Sequence, residues 1–256
     1  MWALLLLGAL QGLTEFLPVS SSGHLIVLKS LFGVRAPGAA LEVALHLGTL
    51  AAVLFFYRGW LIHWVGELAK GGREAWAYLG RLVLASTPAG LLGLSFGHAI
   101  EAYFTVPATA IGWLSTALVL WFMPDQEKGA RTASTLEWGW VSLIGCAQAL
   151  ALWPGVSRSG STIAMGRLVG LKPDEAVRFS FFMAIPAVLG ALVFEIPSLG
   201  SSGLPLLPLA LSASIAAATG VVAIQWITSI VNRPGAWRGF AVYLVGVVMA
   251  VWIVGG

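Results

Sequence analysis

Six long apolar stretches restrict what this chain can fold into. Charged residues make up only 10% of the chain, against about 25% in an average soluble domain. A helix needs ~20 largely apolar residues to cross the hydrocarbon core of a bilayer. The sequence therefore predicts an all-α integral membrane protein with six transmembrane helices. These helices are expected at residues 41–57, 80–97, 106–123, 178–195, 205–230 and 237–254.

A short polar motif interrupts two further apolar segments. It reads GALQGLTEFLPVSSSG at residues 8–23 and GCAQALALWPGVSRSG at residues 145–160. With one copy shifted by 137 positions, the two align without a gap and place Gln11 on Gln148. Each copy carries a proline and a Ser/Gly cluster, which end a helix. Non-helical backbone at membrane depth is tolerated only where protein or a water-filled cavity covers it.

The two motifs therefore predict two re-entrant helix-loop-helix hairpins, at residues 2–33 and 138–170. A hairpin returns to the side it entered, whereas the three spans that follow it change sides. The second half must then be inverted relative to the first. We predict one membrane domain, residues 1–256, built from an inverted-topology repeat with halves at about 1–135 and 138–256. Such repeats place a shared site near the bilayer midplane, between broken helices.

The basic residues support this topology. Eleven Lys and Arg residues fall on one predicted side and only Lys29 and Arg35 on the other. Because basic loops remain in the cytoplasm, loops 58–80, 124–137 and 231–237 should be cytoplasmic and both termini outside. The basic residues form no compact patch, which argues against a nucleic-acid partner. The eleven are Arg58, Lys70, Arg73, Arg81, Lys128, Arg131, Arg167, Lys172, Arg178, Arg233 and Arg238.

The first motif places Gln11 and Glu15 four residues apart, on one face of a helix. An ionisable residue inside a membrane is a functional candidate by default. Alternatively, Glu15 could end its helix in interfacial water. Glu42 and His46 have the same spacing at the start of a span, and could face the same cavity or the interface.

The polar cluster of the first motif lies where a second helix should begin. Hydroxyls and free amides at a helix N-terminus bind anions, above all phosphate. A serine beside a histidine could also act as a nucleophile and proton-transfer pair. Alternatively, the serines only cap the helix and the histidine forms an interfacial hydrogen bond. The cluster consists of Ser20, Ser21, Ser22, Gly23 and His24.

The second motif surrounds Arg158 with hydroxyl groups and glycine. A permanently charged guanidinium in the membrane interior needs an anionic partner, and its planar fork suits phosphate. The alternative is a purely structural salt bridge to Glu15. The surrounding residues are Ser157, Ser159, Gly160 and Thr162.

These motifs resemble the two signatures of the undecaprenyl-diphosphate phosphatase family, also called the bacitracin-resistance family. The likeness rests on QGLTEFLPVSSSGH and PGVSRSGST and extends over nearly the whole chain. It implies a hydrolase that removes one phosphate from an isoprenoid diphosphate lipid, recycling the lipid carrier for cell-wall synthesis. It further implies a bacterial plasma-membrane location, a site open to the outer, periplasmic face, and a homodimer.

The resemblance also implies roles for individual residues. The acidic pair of the family falls on Gln11 and Glu15, the Ser/His element on Ser21 and His24, and the Arg motif on Ser157, Arg158 and Thr162. We expect Ser21 to be the nucleophile and His24 its acid/base partner, with Glu15 orienting His24 or binding metal. The alternatives are attack by His24 itself or by water. A divalent cation, Mg²⁺ or Ca²⁺, is expected near Glu15 and Gln11, although some relatives have Glu at the Gln11 position. The remaining members of both clusters, Ser20, Ser22, Gly23, Ser159 and Gly160, are expected to bind substrate.

The same architecture is also typical of transporters, so a transporter or flippase of a prenyl-phosphate lipid is the alternative. A transporter needs a binding site but no nucleophile and no proton-transfer group. The serine and histidine of the first motif therefore favour an enzyme.

Overall fold

A computed structural model describes residues 2–34, 40–123, 129–199 and 205–255. Within these ranges the chain is helical, with one isolated bridge between Arg131 and Leu171 and no strand. The helices are α1 (Trp2–Phe16), α2 (Ser21–Leu31), α3 (Ala40–Phe56), α4 (Arg58–Ala69), α5 (Arg73–Glu101), α6 (Val106–Trp121), α7 (Trp138–Leu150), α8 (Arg158–Leu168), α9 (Pro173–Leu199), α10 (Leu206–Ile230) and α11 (Ala236–Gly255), with a 3-10 helix at Ala133–Thr135. This confirms the all-α prediction at the level of secondary structure.

Both predicted hairpins are present as a helix, a break and a second helix. The first is α1 and α2, and the second is α7 and α8. A proline lies in each break, Pro18 in the first and Pro154 in the second. The duplicated arrangement is what an internal repeat requires. Re-entry into the membrane and inversion of the halves stay predictions.

A helix occupies each of the six predicted spans, but not all of these helices meet the requirements for a span. By length and apolar composition, three helices in the described part of the chain could cross a membrane: α5, α10 and α11. The bent pair α3 and α4 would make a fourth. These apolar helices agree with the prediction of a multi-pass membrane protein. Lys128 and Arg35, which entered the charge count, lie outside the described residues.

The prediction of a loop over residues 58–80 was wrong except at residues 70–72, because α4 ends at Ala69 and α5 begins at Arg73. Residues Arg58–Ala69 form α4, which bends by 77° from the preceding helix α3. A search for long apolar segments overlooks such a helix because Arg58, His63 and Glu67 interrupt its twelve residues. None of its residues is fully buried, so α4 lies on the surface of the bundle.

Small residues bring α10 into backbone contact with both α1 and α3. A side chain at Gly12 of α1 would collide with the carbonyl oxygen of Ala216, and one at Gly48 of α3 with that of Ala213. Lipid provides little hydrophobic driving force for helices to associate, so membrane helices rely on close packing of this kind. The packing fixes the C-terminal end of α1, where Glu15 lies.

Helix α6 contacts the breaks of both hairpins. The Trp113 indole donates a hydrogen bond to the Val19 carbonyl, at 3.1 Å, in the first break. The preceding residue, Gly112, packs so closely against Pro154 and Gly155 of the second break that a Cβ atom would overlap their backbone. Helix α6 thereby holds the two motifs beside each other.

Candidate active site

The two motifs converge on one cavity of about 330 Å³. It lies between the C-terminal end of α1, the N-termini of α2 and α8, and the flanks of α3 and α9. The first turns of both helices that begin here line the cavity, and the positive end of a helix dipole favours anions. The lining residues are Glu15, Ser20, Ser21, Ser22, Glu42, Val43, His46, Ala151, Val156, Ser157, Arg158, Ser159, Ala184, Ala187 and Val188.

Glu15 is the centre of the polar network in this cavity. Its side chain is only 9% exposed. One carboxylate oxygen, Oε2, accepts hydrogen bonds from the Gln11 amide at 3.0 Å and from the Ser21 hydroxyl at 2.5 Å. The other, Oε1, accepts from Arg158 at 2.6 Å. A carboxylate with this many partners is held in one orientation, which argues against the alternative of a helix end in interfacial water.

Arg158 joins the first hairpin to α9 as well as to Glu15. Its Nη2 donates to Glu15 and its Nη1 to the backbone carbonyl of Ser180, at 3.0 Å. The salt bridge to Glu15, weighed above as a structural alternative, is therefore present. The two bonds use two of the five N–H donors of a guanidinium, so donors remain for phosphate oxygens.

Ser20 begins α2 in a strained conformation. Its φ is +64°, in the left-handed region that non-glycine residues rarely occupy. Its hydroxyl accepts from the Gly23 amide at 3.4 Å, which makes Ser20 the N-cap. A strained backbone of this kind is retained only where contacts with the surrounding structure hold the residue in that conformation. The conformation places Ser21 in the first turn, beside Glu15.

The second motif is tied directly to the first. Ser157 caps α8 by accepting from the Gly160 amide at 3.1 Å, and its own amide donates to the Thr116 hydroxyl at 2.9 Å. Ser159 crosses to the first break, where its hydroxyl donates to the Leu17 carbonyl at 3.0 Å. These bonds couple the geometry of the two motifs.

The structure separates His24 from Ser21, contrary to the predicted pairing. One ring nitrogen, Nδ1, bonds to the Ser20 carbonyl at 2.8 Å, and the other, Nε2, to the Tyr243 hydroxyl at 2.9 Å. The ring packs edge-on against Trp113, and His24 does not line the cavity. Residues three apart lie on the same side of a helix, but Ser20 and Tyr243 engage both ring nitrogens of His24, so neither nitrogen is available to Ser21.

Four further predicted site residues also lie behind the cavity wall. Gln11 supports Glu15, Gly23 faces the Trp113 ring, and Gly160 supplies the amide that Ser157 caps. Thr162 shares a 2.6 Å hydrogen bond with the Ser180 hydroxyl. The predicted site residues that do line the cavity are Glu15, Ser20, Ser21, Ser22, Ser157, Arg158 and Ser159.

A match to a known family agrees with this geometry. The sequence profile of the family described as Bacitracin resistance protein BacA matches residues 4–250. The chain belongs to this family.

Relatives within the BacA family cover nearly the whole length of the chain. A protein of Desulfatibacillum aliphaticivorans named undecaprenyl-diphosphatase is 35% identical, over 98% of this chain and 94% of its own. One of the same name from Rhodopirellula baltica is 40% identical over 87% and 86%. Another from Carboxydothermus hydrogenoformans is 34% identical over 96% and 95%. The family assignment made from the two motifs is confirmed.

Histidine 46 is a cavity residue that the sequence left undecided. Its Nε2 lies 3.8 Å from Oε2 of Glu15, and its Nδ1 bonds to the Glu42 carbonyl at 2.7 Å. Because a carbonyl only accepts, Nδ1 carries a proton. Glu42 also lines the cavity and forms an ion pair with Lys29. The spacing of four residues on α3 was the available signal, but spacing alone could not say which face of α3 the pair occupied.

The oxygen atoms near Glu15 fit a hard divalent cation. The carbonyl oxygen of Gln11 is buried and has no hydrogen-bond partner among the described residues. Together with the Glu15 carboxylate it offers two oxygen donors. Mg²⁺ in phosphate sites is commonly held by one or two protein oxygens together with substrate phosphates and water. Within the described part of the chain no three acidic, histidine or cysteine residues are arranged so that they could hold a metal ion together, so any cation here would depend on the substrate for further ligands.

Proposed function

We propose that this protein hydrolyses undecaprenyl diphosphate to undecaprenyl phosphate and inorganic phosphate. The observation that carries the proposal is the 2.5 Å hydrogen bond from Ser21 Oγ to Glu15, inside a cavity that also exposes Arg158 and two helix N-termini. A nucleophile bonded to a base, beside donors for phosphate oxygens, is the arrangement that phosphoryl transfer requires.

In the first step Ser21 Oγ attacks the terminal phosphorus. Its proton passes to Glu15, the anhydride P–O bond breaks, and the lipid monophosphate leaves. Phosphoryl transfer is catalysed mainly by positioning and by neutralising charge. Arg158 and the amides at the starts of α2 and α8 would provide that charge. The leaving phosphate is a stable anion, so it needs no separate acid.

In the second step water attacks the phosphorus of phosphorylated Ser21. Protonated Glu15 gives its proton to Ser21 Oγ as the P–O bond to serine breaks, takes one proton from the attacking water, and releases it to solvent when inorganic phosphate leaves. A divalent cation held by Glu15 and Gln11 would supply additional positive charge when bound. His24 in this scheme is a positioning residue, because its bond to the Ser20 carbonyl supports the strained turn before Ser21.

The same proposal includes the location and the membrane topology of the protein. We place the protein in the bacterial plasma membrane with six spans and two re-entrant hairpins, and with the cavity open to the outer face. This orientation suits recycling of the carrier, since the diphosphate lipid is produced where cell-wall polymers are assembled. The homodimer implied by the family resemblance remains a prediction.

The test is phosphate release by purified Ser21→Ala. We expect turnover to be lost while binding of an isoprenoid diphosphate persists, because backbone amides and Arg158 form the anion site. Ser115→Ala is the matched control, since Ser115 is an exposed serine that bonds only to its own helix, at the Ile111 carbonyl. Wild-type turnover by Ser21→Ala would assign the attack to water. A wild-type protein that moves the lipid across vesicles without releasing phosphate would instead be a transporter.

A further inference from the structure

The candidate active-site cavity has a polar side and an apolar side. Glu15, Ser21 and Arg158 belong to the polar side, and the proposed hydrolysis uses only this side. An apolar surface next to a phosphate site suits a hydrocarbon chain attached to the phosphate, because burial of hydrocarbon is favourable. The residues of the apolar side are Val43, Ala151, Val156, Ala184, Ala187 and Val188.

Helix α9 extends the apolar side away from the reaction centre. Its Ser180 carbonyl accepts a hydrogen bond from Arg158 at 3.0 Å. Ala184 and Val188 follow Ser180 at intervals of four residues, so they continue along the same face of the helix. At 1.5 Å per residue, this face extends about 12 Å from Ser180 to Val188. The first isoprene units of a lipid whose phosphate is held by Arg158 can therefore lie along α9.

The reverse of the first proposed step indicates which nucleophiles the cavity must accept. That step leaves a phosphoryl group on Ser21 and a lipid monophosphate in the cavity. In reverse, an oxygen of the lipid monophosphate attacks the phosphoserine, through the same transition state by microscopic reversibility. The cavity therefore accommodates an oxygen nucleophile with an isoprenoid tail. An isoprenoid alcohol has the same tail and a hydroxyl oxygen, and its first isoprene unit would lie one phosphate closer to Arg158, beside Ala184.

Glu15 can take a proton from an alcohol as it does from water. The Ser21 hydroxyl donates to Oε2 of Glu15 at 2.5 Å, so the carboxyl group lies beside the oxygen atom that is bonded to phosphorus in the intermediate. The polar side of the cavity does not distinguish the hydroxyl group of an alcohol from water. The apolar side does, because burial of the tail stabilises a bound isoprenoid alcohol.

We propose that this protein also transfers phosphate from an isoprenoid diphosphate to an isoprenoid alcohol, so that one molecule of each gives two lipid monophosphates. The inference rests on the proposed hydrolysis, because both reactions share phosphorylated Ser21. The alcohol oxygen attacks the phosphorus, and the P–O bond to serine breaks. Ser21 Oγ takes the proton of Glu15, which takes the hydroxyl proton of the alcohol and later releases it to solvent. No inorganic phosphate forms in this branch.

The experiment uses full-length protein in detergent, with undecaprenyl diphosphate radiolabelled in its terminal phosphate and geranylgeraniol as the acceptor. Chromatography separates inorganic phosphate from geranylgeranyl phosphate. We expect label in both, with the share in geranylgeranyl phosphate rising and levelling off as the alcohol fills its site. Methanol has no tail to bind, so methyl phosphate should increase only in proportion to the methanol concentration. Ser21→Ala should release label into none of these products.

Ala187→Phe tests the apolar side through the ratio of geranylgeranyl phosphate to inorganic phosphate. Both products come from the same phosphoserine, so the ratio does not depend on how well the diphosphate binds. Ala187 is exposed, which leaves room for the larger side chain, and thermal unfolding checks that the variant is folded. The ratio should fall about tenfold, as for lost contact with two methylene groups. Ala218→Phe is the matched control, an exposed alanine of α10 outside the cavity, and should keep the wild-type ratio.

The possible outcomes separate this proposal from the hydrolysis on which it rests. Release of inorganic phosphate without any geranylgeranyl phosphate overturns the transfer and leaves the hydrolysis intact. A share of geranylgeranyl phosphate that never levels off, or a wild-type ratio in folded Ala187→Phe, overturns the alcohol site on α9. Wild-type protein that releases label into neither product overturns the hydrolysis as well.

Discussion

Thr116→Val tests whether α6 holds the second motif in place. The Thr116 hydroxyl donates to the Gly112 carbonyl at 3.0 Å and accepts from the Ser157 amide at 2.9 Å. Thr116 is 1% exposed, so water cannot replace its hydroxyl. Valine has nearly the same shape but leaves the Ser157 amide without a partner.

The magnitude follows from that one amide. A buried donor left unsatisfied costs ~1–3 kcal/mol. If the backbone then moves and Ser157 no longer caps α8, a further ~1 kcal/mol is lost. We therefore expect the free energy of unfolding to fall by ~1–4 kcal/mol. Because Arg158 follows directly, a displacement of about 1 Å would lower turnover by up to about a hundredfold.

The free energy of unfolding can be measured in mixed micelles, and turnover can be measured by phosphate release from the same preparation. Thr87→Val is the control, because Thr87 is exposed and its hydroxyl bonds only to Val83 of its own helix. The control should remain within ~0.5 kcal/mol of wild type, as surface changes usually do. If Thr116→Val also remains within that range and turns over normally, α6 does not position the second motif.

Three other predictions follow from the site and the topology. Arg158→Lys keeps the charge but loses the planar fork, so phosphate release should fall at least tenfold at unchanged Tm; normal turnover would make the Arg158 salt bridge purely structural. Tyr243→Phe removes the hydrogen bond to Nε2 of His24 and should lower the free energy of unfolding by ~1 kcal/mol, with turnover changed only a few-fold. A loss of turnover as large as that of Ser21→Ala would instead make His24 the proton-transfer group. In a Cys146→Ala background, an impermeant thiol reagent applied to intact cells should label Ala102→Cys and not Ala130→Cys, and the reverse pattern would contradict the proposed topology.

The elements of this fold were predictable because membrane helices and breaks leave strong local signals. A proline followed by a serine cluster marked the start of both α2 and α8, and apolar length marked α3, α5, α6, α9, α10 and α11. Helix α4 was missed because its polar residues recur too often for a span, and its contacts with α5 are tertiary. The strained φ of Ser20 was equally inaccessible, since serine gives no local signal for a left-handed conformation.

Within the site, proximity in the sequence was a poor guide to partners. Ser21 and His24 are three residues apart, yet Ser21 bonds to Glu15 while His24 bonds to Ser20 and Tyr243. Glu15 and Arg158 are 143 residues apart and form a direct hydrogen bond. The sequence could suggest that the lone arginine needed an anion, because an unpaired charge in a membrane is costly. The sequence could not decide whether the anionic partner of Arg158 is Glu15 or a substrate phosphate. In the structure the cavity allows Arg158 to contact both.

The bond between Glu15 and Arg158 also has a consequence for biogenesis. Translation at about 5–20 residues per second means that Glu15 emerges from the ribosome roughly 7–30 seconds before its partner. During that interval the first hairpin carries a carboxylate without its arginine, and the Leu17 carbonyl lacks the Ser159 hydroxyl. Hydrocarbon is a costly place for such groups. The first hairpin should therefore wait at the insertion machinery or in a hydrated position, and enter the bundle only when α8 arrives to complete it.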